Sequence, residues 1–539
     1  MEKSDMKKLL TVLLASSMLL SFVACTKKAE KEKKPEVTPT VTSWAFHGYE
    51  KTVVNAKPKG QFSTEYKVYL TKGETEGCQV AVYVMNTSVK DVTFCQVNEN
   101  YENIEPTVYE MSRTHSIGNK RYTDALVPYS GGKLTIERRV ALPFMIEFKT
   151  NENTVAGDYE YKYELRNKKG EAIASFDITV HVWDILLPAD KTFVTAAGLS
   201  NEGIYYHGGF YEGWYNIALE HNLSPYTLPY DILDERADAY MSDPRVTSFM
   251  INVTYSGITE EKLLQIYEKL KSNPVWLEKA YFYPLDEPRT KEHLSQLKSW
   301  EKRLTQLCPE IEICAPYYTN IQLGEGRDQT DEMSEYTDLW CPKLCLWDDE
   351  RSYDKFLDYT PEKSFEERMN DQIASGDRMW TYVCNSPDDP YAQLFIDTEG
   401  VNQRLMFWQI YQRNIEGFLY WSINSYGTTK YGARQDPWKN TNTGIPGENN
   451  VTIYGCGFLF YPGRAVGLID CVPSIRAKIV RDGVDDIELF YLAEEYLGKE
   501  WLLEKTKEGT PSLTEYTTSD NFASLRIEIG NALEAAMKK

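Results

Sequence analysis

Histidine is scarce in this chain, with six residues among 539, and no two of them form an HExxH pair. That removes the usual signature of a catalytic zinc helix. The cysteines are spaced irregularly, and Cys341 and Cys345 are followed by no second Cys or His pair at zinc-site spacing. No metal and no cofactor are therefore expected. GxSxG, GxxxxGK[ST] and GxGxxG are all missing. With them go the local signatures of a serine-hydrolase elbow, a phosphate loop and a dinucleotide fold. Positive charge is short as well. The formal net charge is −21 and no basic stripe appears, so a nucleic-acid partner is not expected. A neutral or cationic partner suits such an acidic chain better than a polyanion.

What the amino end does contain is a processing signal. Lys3, Lys7 and Lys8 precede the uncharged apolar run Leu9–Val23, which ends in Ser21-Phe22-Val23-Ala24-Cys25. A basic start, an apolar run and small residues before a cut mark a secretory signal. The run is shorter than the roughly 20 residues that span a bilayer. Cys25 directly after Ala24 resembles a bacterial lipobox, whose cysteine is lipidated. The alternative is an ordinary signal peptide or an uncleaved anchor, with Cys25 incidental. Residues 26–42, rich in Lys, Glu, Pro and Thr, offer almost nothing to bury and read as a flexible tether. The expectation is a membrane-anchored lipoprotein at the bacterial cell surface. The nine remaining cysteines read mostly as buried strand residues, with one or two disulfides allowed by export.

Residues 43–190 read as an all-β sandwich. Runs such as Gln79–Val84, Leu142–Phe148 and Ser175–Trp183 alternate or are continuously apolar, with turn formers such as Ala156-Gly157-Asp158 between them. From residue 191 to 470 the pattern becomes short apolar strands alternating with helical stretches. Eight strand candidates follow one another: Phe193–Leu199, Tyr226–Pro229, Thr247–Val253, Ala280–Leu285, Ile311–Tyr317, Asp338–Pro342, Met379–Cys384 and Gly417–Ile423. Helices are expected over Glu260–Leu270, Lys291–Leu307 and Val401–Asn414. Eight strands with helices between them are the count of a (β/α)8 barrel. Residues 471–539 read as a helical segment, with a long helix over Ser474–Leu497 that carries Asp485 and Asp486 on its polar side, and a last helix over Phe522–Met537. The fold class is thus α/β, a TIM-like barrel preceded by a β-sandwich and followed by helices.

In such a barrel the active site lies at the carboxyl ends of the strands. The fourth candidate ends in Tyr281-Phe282-Tyr283-Pro284-Leu285-Asp286-Glu287-Pro288. Two adjacent acids there are candidate catalytic groups. Pro288 should hold Glu287 in an extended backbone. Neighbouring residues of a regular strand point to opposite faces, so both acids reach the mouth only where the chain leaves the ladder. The plainer alternative is that the pair opens a loop and caps a helix at Thr290. Other strand ends supply candidate sugar contacts: Tyr317, Tyr318 and Asn320, then Trp347, then Trp380 and Tyr382, then Tyr420, Trp421 and Asn424. Aromatic faces stack on sugar rings; at each position the same side chain could instead fill the barrel layers. Trp380, Tyr382 and Trp421 are favoured. Asp348, Asp349 and Asp388 read as solvated loop acids.

The Asp286-Glu287-Pro288 segment resembles the signature of glycoside hydrolase family 123 and its relatives, once filed as domain of unknown function 4091. Gly73-Glu74-Thr75-Glu76-Gly77-Cys78-Gln79, Asp124-Ala125-Leu126-Val127-Pro128, Ala156-Gly157-Asp158-Tyr159, Trp380-Thr381-Tyr382-Val383-Cys384, Ser474-Ile475-Arg476 and Arg481-Asp482-Gly483-Val484-Asp485-Asp486 resemble further family segments, in order. The resemblance implies a β-N-acetylgalactosaminidase-like retaining mechanism assisted by the substrate. Asp286 would accept the acetamido N–H and Glu287 would be the acid and base. A glycosidase of other sugar specificity, or a non-catalytic glycan-binding lipoprotein, are the rival readings.

Overall fold

The computed structural model of the protein describes residues 38–111, 114–253, 258–348, 357–387, 389–427, 435–444 and 452–539. The signal segment with Cys25 lies outside the described residues, and so do Asp349 and Asp388. Val41 and Thr42, assigned from sequence to the tether, already belong to the first strand, Val41–His47.

Two five-stranded sheets make up the amino-terminal part. One holds Val41–His47, Thr75–Val84, Ala141–Thr150, Ile104–Glu110 and Val127–Pro128 in that order. The other holds Glu65–Lys72, Ala172–Leu186, Gly157–Arg166, Val89–Gln96 and Leu134–Ile136. The period of two is plain in Gly157–Arg166, where Tyr161, Tyr163 and Leu165 are buried while Lys162 faces out. The sheets meet through rings such as Phe94 on Phe144, stacked with centroids 4.3 Å apart.

A seven-stranded parallel sheet follows, nearly closed on itself. Its order is Val194–Ala197, Gly417–Tyr420, Arg378–Val383, Leu339–Pro342, Glu312–Tyr317, Ala280–Phe282 and Phe249–Ile251. The remaining gap is spanned by residues 224–226. Ala197 N–H donates to the Ser224 carbonyl (2.8 Å), Tyr226 N–H to the Ala197 carbonyl (2.7 Å) and Met250 N–H to the Tyr226 carbonyl (2.8 Å). The sequence placed a full strand over Tyr226–Pro229. Pro225 and Pro229 carry no N–H, so the stretch is reduced to a single bridge, Pro225 opposite Ala197, with Tyr226 giving the N–H and carbonyl beside it. The inside of the sheet is filled by Val194, Ala196, Tyr281, Cys314, Leu339 and Trp380 with their neighbours. Helices cover the outside. Lys291–Leu307 is typical: the Thr290 side chain caps it and Leu294, Leu297 and Leu304 face inward.

The helix Ile475–Leu497 departs from expectation. Asp486 is fully buried and Asp485 nearly so. Its polar side faces ions rather than water. Asp486 accepts from Arg404 Nε (2.8 Å) and Arg526 Nε (2.7 Å), and Arg526 also pairs with Glu74. Glu76 pairs with Arg404 (2.6 Å) and Lys478 (3.1 Å), and Glu147 with Arg481 (2.6 Å). Asp124 takes both Nε (2.9 Å) and Nη2 (2.8 Å) of Arg476. These bonds tie the first sheet pair to the carboxyl-terminal helices and, through Arg404 on the helix Gly400–Gln412, to the parallel sheet. Removing one partner of a buried pair leaves a bare charge. Asp486→Asn removes the buried charge that Arg404 and Arg526 share and leaves them to Glu76 and Glu74; it should cost about 3–5 kcal/mol in urea denaturation. A loss below about 1 kcal/mol, the value of a surface pair, would contradict this.

All nine cysteines beyond Cys25 are free thiols, and seven are buried. No disulfide is therefore present among the described residues. No helix among them is long and apolar enough to cross a membrane.

Candidate active site

The strand Ala280–Phe282 stops early because Pro284 has no N–H for the ladder. The chain then bends at Asp286 and Glu287. Glu287 has φ +40°, in the left-handed region rather than the extended one expected before Pro288. Such a conformation costs a non-glycine residue about 1–3 kcal/mol and persists only where its surroundings fix it. Three contacts do so. Pro288 is buried, its carbonyl accepts from Gln329 Nε2 (3.0 Å), and the Glu287 carboxylate accepts from the Tyr382 hydroxyl (2.6 Å). Asp286 is held in the same way by the Tyr283 hydroxyl (2.8 Å). The kink brings both acids to one side.

That side is a cavity of about 540 Å³ at the carboxyl ends of the parallel strands. Asp286, Glu287, Tyr226, Tyr283, Tyr382 and Trp421 line it. The volume is within the usual range for a small-ligand site. Burial raises the Glu287 carboxyl above the usual range; the Tyr382 hydrogen bond opposes this and the Asp286 charge adds to it. Lys343 and Arg289 pull it back down more weakly. The Trp421 ring is 40% exposed. It rests on Gly457, where a Cβ would come within 2.2 Å of the indole.

The structure therefore gathers four of the sequence candidates, Asp286, Glu287, Tyr382 and Trp421, and places the others elsewhere. Strand parity explains two cases. Pro316 and Leu419 line the cavity, so Tyr317 and Tyr420 point outward. Tyr317 packs against Trp340 and Phe365, and the Tyr420 hydroxyl accepts from Gly457 N–H (3.0 Å). Trp380 points inward but lies two residues below Tyr382. It is buried edge-on against Tyr281, in space left by Gly417, so it is interior packing and not a sugar contact. Asn320 accepts from Thr330 N–H (3.3 Å) at the start of the helix Gln329–Met333. Asn424 clasps the Ser200 backbone, accepting at 2.8 Å and donating at 2.9 Å. Trp347 is buried against Phe365, and Asp348 accepts from the Tyr391 hydroxyl.

Sequence reasoning missed Tyr226, Tyr283, Asn252 and Lys343. Tyr283 shares the inward parity of Tyr281, a signal that was readable. Lys343 follows the strand Leu339–Pro342 directly. Its Nζ donates to Ser386 Oγ (2.6 Å) and lies 5.7 Å and 6.0 Å from the Tyr318 and Tyr382 ring centres. Among the described residues, no group of three His, Cys, Asp or Glu side chains is arranged to hold a metal.

A family model described as glycoside hydrolase 123, catalytic domain, matches residues 217–493. This chain belongs to glycoside hydrolase family 123. Both carboxylates and the other lining residues of the cavity, Tyr226 to Trp421, fall in the matched stretch. Among solved structures, a family 123 glycoside hydrolase from Clostridium perfringens, reported for glycolipid glycan hydrolysis, overlaps 93% of this chain and 98% of its own, with TM-score 0.60 and 13% identity. An endo-β-1,4-mannanase from Thermotoga petrophila shows a slighter likeness, TM-score 0.29 at 11% identity over 56% of this chain and 77% of that one. No curated protein matches the sequence. The likeness to the Clostridium perfringens enzyme shows that this family 123 chain shares that fold from its amino-terminal sheets onward.

Proposed function

We propose that this family 123 member is a retaining, substrate-assisted β-N-acetylhexosaminidase that prefers β-linked N-acetylgalactosamine. The observation that carries the reading is the pair of adjacent acids opening on one cavity, each fixed by a tyrosine hydroxyl. Most retaining glycosidases set a carboxylate nucleophile about 5–5.5 Å from the acid, across the scissile bond. Among the described residues of this cavity wall the only carboxylates are Asp286 and Glu287. Neighbours in the chain are poorly placed to flank a bond. The nucleophile is then the 2-acetamido oxygen of the sugar. Asp286 accepts the acetamido N–H and steadies the oxazolinium. Glu287 donates to the leaving oxygen, then takes a proton from water. Trp421 stacks on the sugar, and Asn252 offers an amide to its hydroxyls.

On the same reading the nearly closed sheet is a (β/α)8 barrel whose second strand is cut down to the single bridge at Pro225. It reads Cys25 as a lipid anchor, which would hold the cavity at the bacterial cell surface among glycans, glycolipid glycans included. A panel of aryl β-glycosides with and without the 2-acetamido group tests the chemistry. Only the acetamido sugars should turn over, N-acetylgalactosamine fastest. Equal turnover of both forms would remove substrate assistance. Glycan binding without turnover of any would favour a binding protein.

A further inference from the structure

Of the nine thiols only Cys95 and Cys384 are partly exposed, and Cys384 lies on the cavity wall. It follows Tyr382 by two residues and shares its inward parity. A second thiol touches it. Cys456, buried, hydrogen bonds to the Cys384 sulfur, and the Trp421 indole N–H donates to Cys456. The loop that presents Cys456 is fixed on both sides. Gly455 and Gly457 have φ +83° and +79°. A Cβ on Gly455 would lie 2.8 Å from Ile396 Cγ1, and one on Gly457 2.2 Å from Trp421. Neither glycine position admits a side chain, so the loop that carries Cys456 is fixed against Ile396 and Trp421.

The surroundings favour a reactive sulfur at Cys384. The hydrogen bond with Cys456 holds its thiol below the ordinary range; burial opposes this, while Lys343 and the Asn385 backbone support it and Glu287 opposes. Cys95, by contrast, sits on a sheet strand and donates to the Glu164 carbonyl (3.6 Å).

We propose that Cys384 and Cys456 form a covalent modification site in the sugar cavity, taking small disulfides, with Cys384 as the attacking thiol and Cys456 as the resolving one. The Cys384 thiolate attacks one sulfur of the small disulfide, whose S–S bond breaks and releases one thiolate. The Cys456 thiol, which the Cys384 bond and burial hold above the ordinary range, then attacks the Cys384 sulfur of the mixed disulfide, and its proton passes to the small thiolate that departs. A Cys384–Cys456 bond forms and the second small thiol leaves. Two protein thiols are oxidised and one small disulfide is reduced to two thiols. The mixed disulfide fills the cavity beside Glu287, and the final bond alters the sulfur that Trp421 contacts.

The test uses the full chain, reduced and then exposed to glutathione disulfide, with linkages mapped by mass spectrometry. The expected main product is the Cys384–Cys456 link in wild type, and glutathione retained on Cys384 in Cys456→Ser. Iodoacetamide should label Cys384 about tenfold faster than Cys95, because thiolate rather than thiol reacts. Glutathione on Cys95 with Cys384 untouched, or Cys384 modified in wild type without a link to Cys456, would overturn the proposal. The wild-type map decides even where a variant folds poorly. Its readout is mass, so it stands apart from whether the cavity cleaves a glycoside.

Discussion

Glu287→Gln should lower kcat on an aryl β-N-acetylgalactosaminide by about 10²–10⁴-fold, the value of a correctly placed proton transfer. Glutamine keeps the shape and can still accept the Tyr382 hydroxyl bond through its amide oxygen. It cannot deliver a proton to the leaving oxygen or take one from water. KM should move little, since the sugar contacts remain. The loss should shrink as the leaving group becomes more acidic and needs less protonation. The pH dependence follows from the same group. A general acid works only while protonated. Burial and the Asp286 charge favour the protonated form of Glu287, so kcat/KM should hold to a higher pH than an ordinary glutamate would allow and then fall as the group ionises. Tyr382→Phe removes a hydrogen bond that favours the ionised form, which should push that fall to still higher pH. A pH–rate series on the three proteins is the measurement. A variant that keeps a tenth or more of wild-type turnover on a poor leaving group would exclude Glu287 as the acid.

Much of this site was legible at the level of strand order and little of it at the level of depth. The strand ends containing Asp286, Tyr382 and Trp421 were found because apolar runs end there. Parity, if applied strictly, separates Tyr382 and Trp421 from the outward Tyr317 and Tyr420. Depth along the strand is not encoded that way. Trp380 shares the parity of Tyr382 yet sits one inward layer lower, and only the packing of Tyr281 and Gly417 shows it. Local rules misled at Glu287. The pre-proline preference for an extended chain is a matter of kilocalories, and the bonds to Tyr382 and Gln329, both distant in sequence, outweigh it. The segments that resemble family 123 divide by role. Asp286-Glu287-Pro288 and Trp380–Cys384 meet at the cavity. Glu74, Glu76, Asp124, Arg476, Arg481 and Asp486 meet in the buried ion pairs instead. Read along the chain they were only charged residues; the partners of Asp486 lie 40 and 82 positions away and Arg476 lies 352 from Asp124, so no local pattern could have paired them.

Asp286→Asn is expected to have the second large effect, and it discriminates the mechanism where Glu287→Gln does not. Every acid-catalysed glycosidase needs a proton donor. Only the acetamide-assisted route needs a negative charge beside the substrate's own nucleophile. Asparagine can still accept the Tyr283 hydroxyl bond and the acetamido N–H, so geometry is kept and charge is lost. Loss of one group aimed at developing transition-state charge costs about 10²–10³-fold in kcat, and that is the fall expected on the acetamido substrate. The charge develops on the oxazolinium, so a stable thiazoline that imitates it should inhibit wild type and bind Asp286→Asn more weakly by a comparable factor. The free substrate carries no such charge and its KM should change far less. Unequal losses for substrate and thiazoline are therefore the signature. Were both to weaken alike, Asp286 would be acting as a plain sugar contact and the nucleophile would have to come from elsewhere.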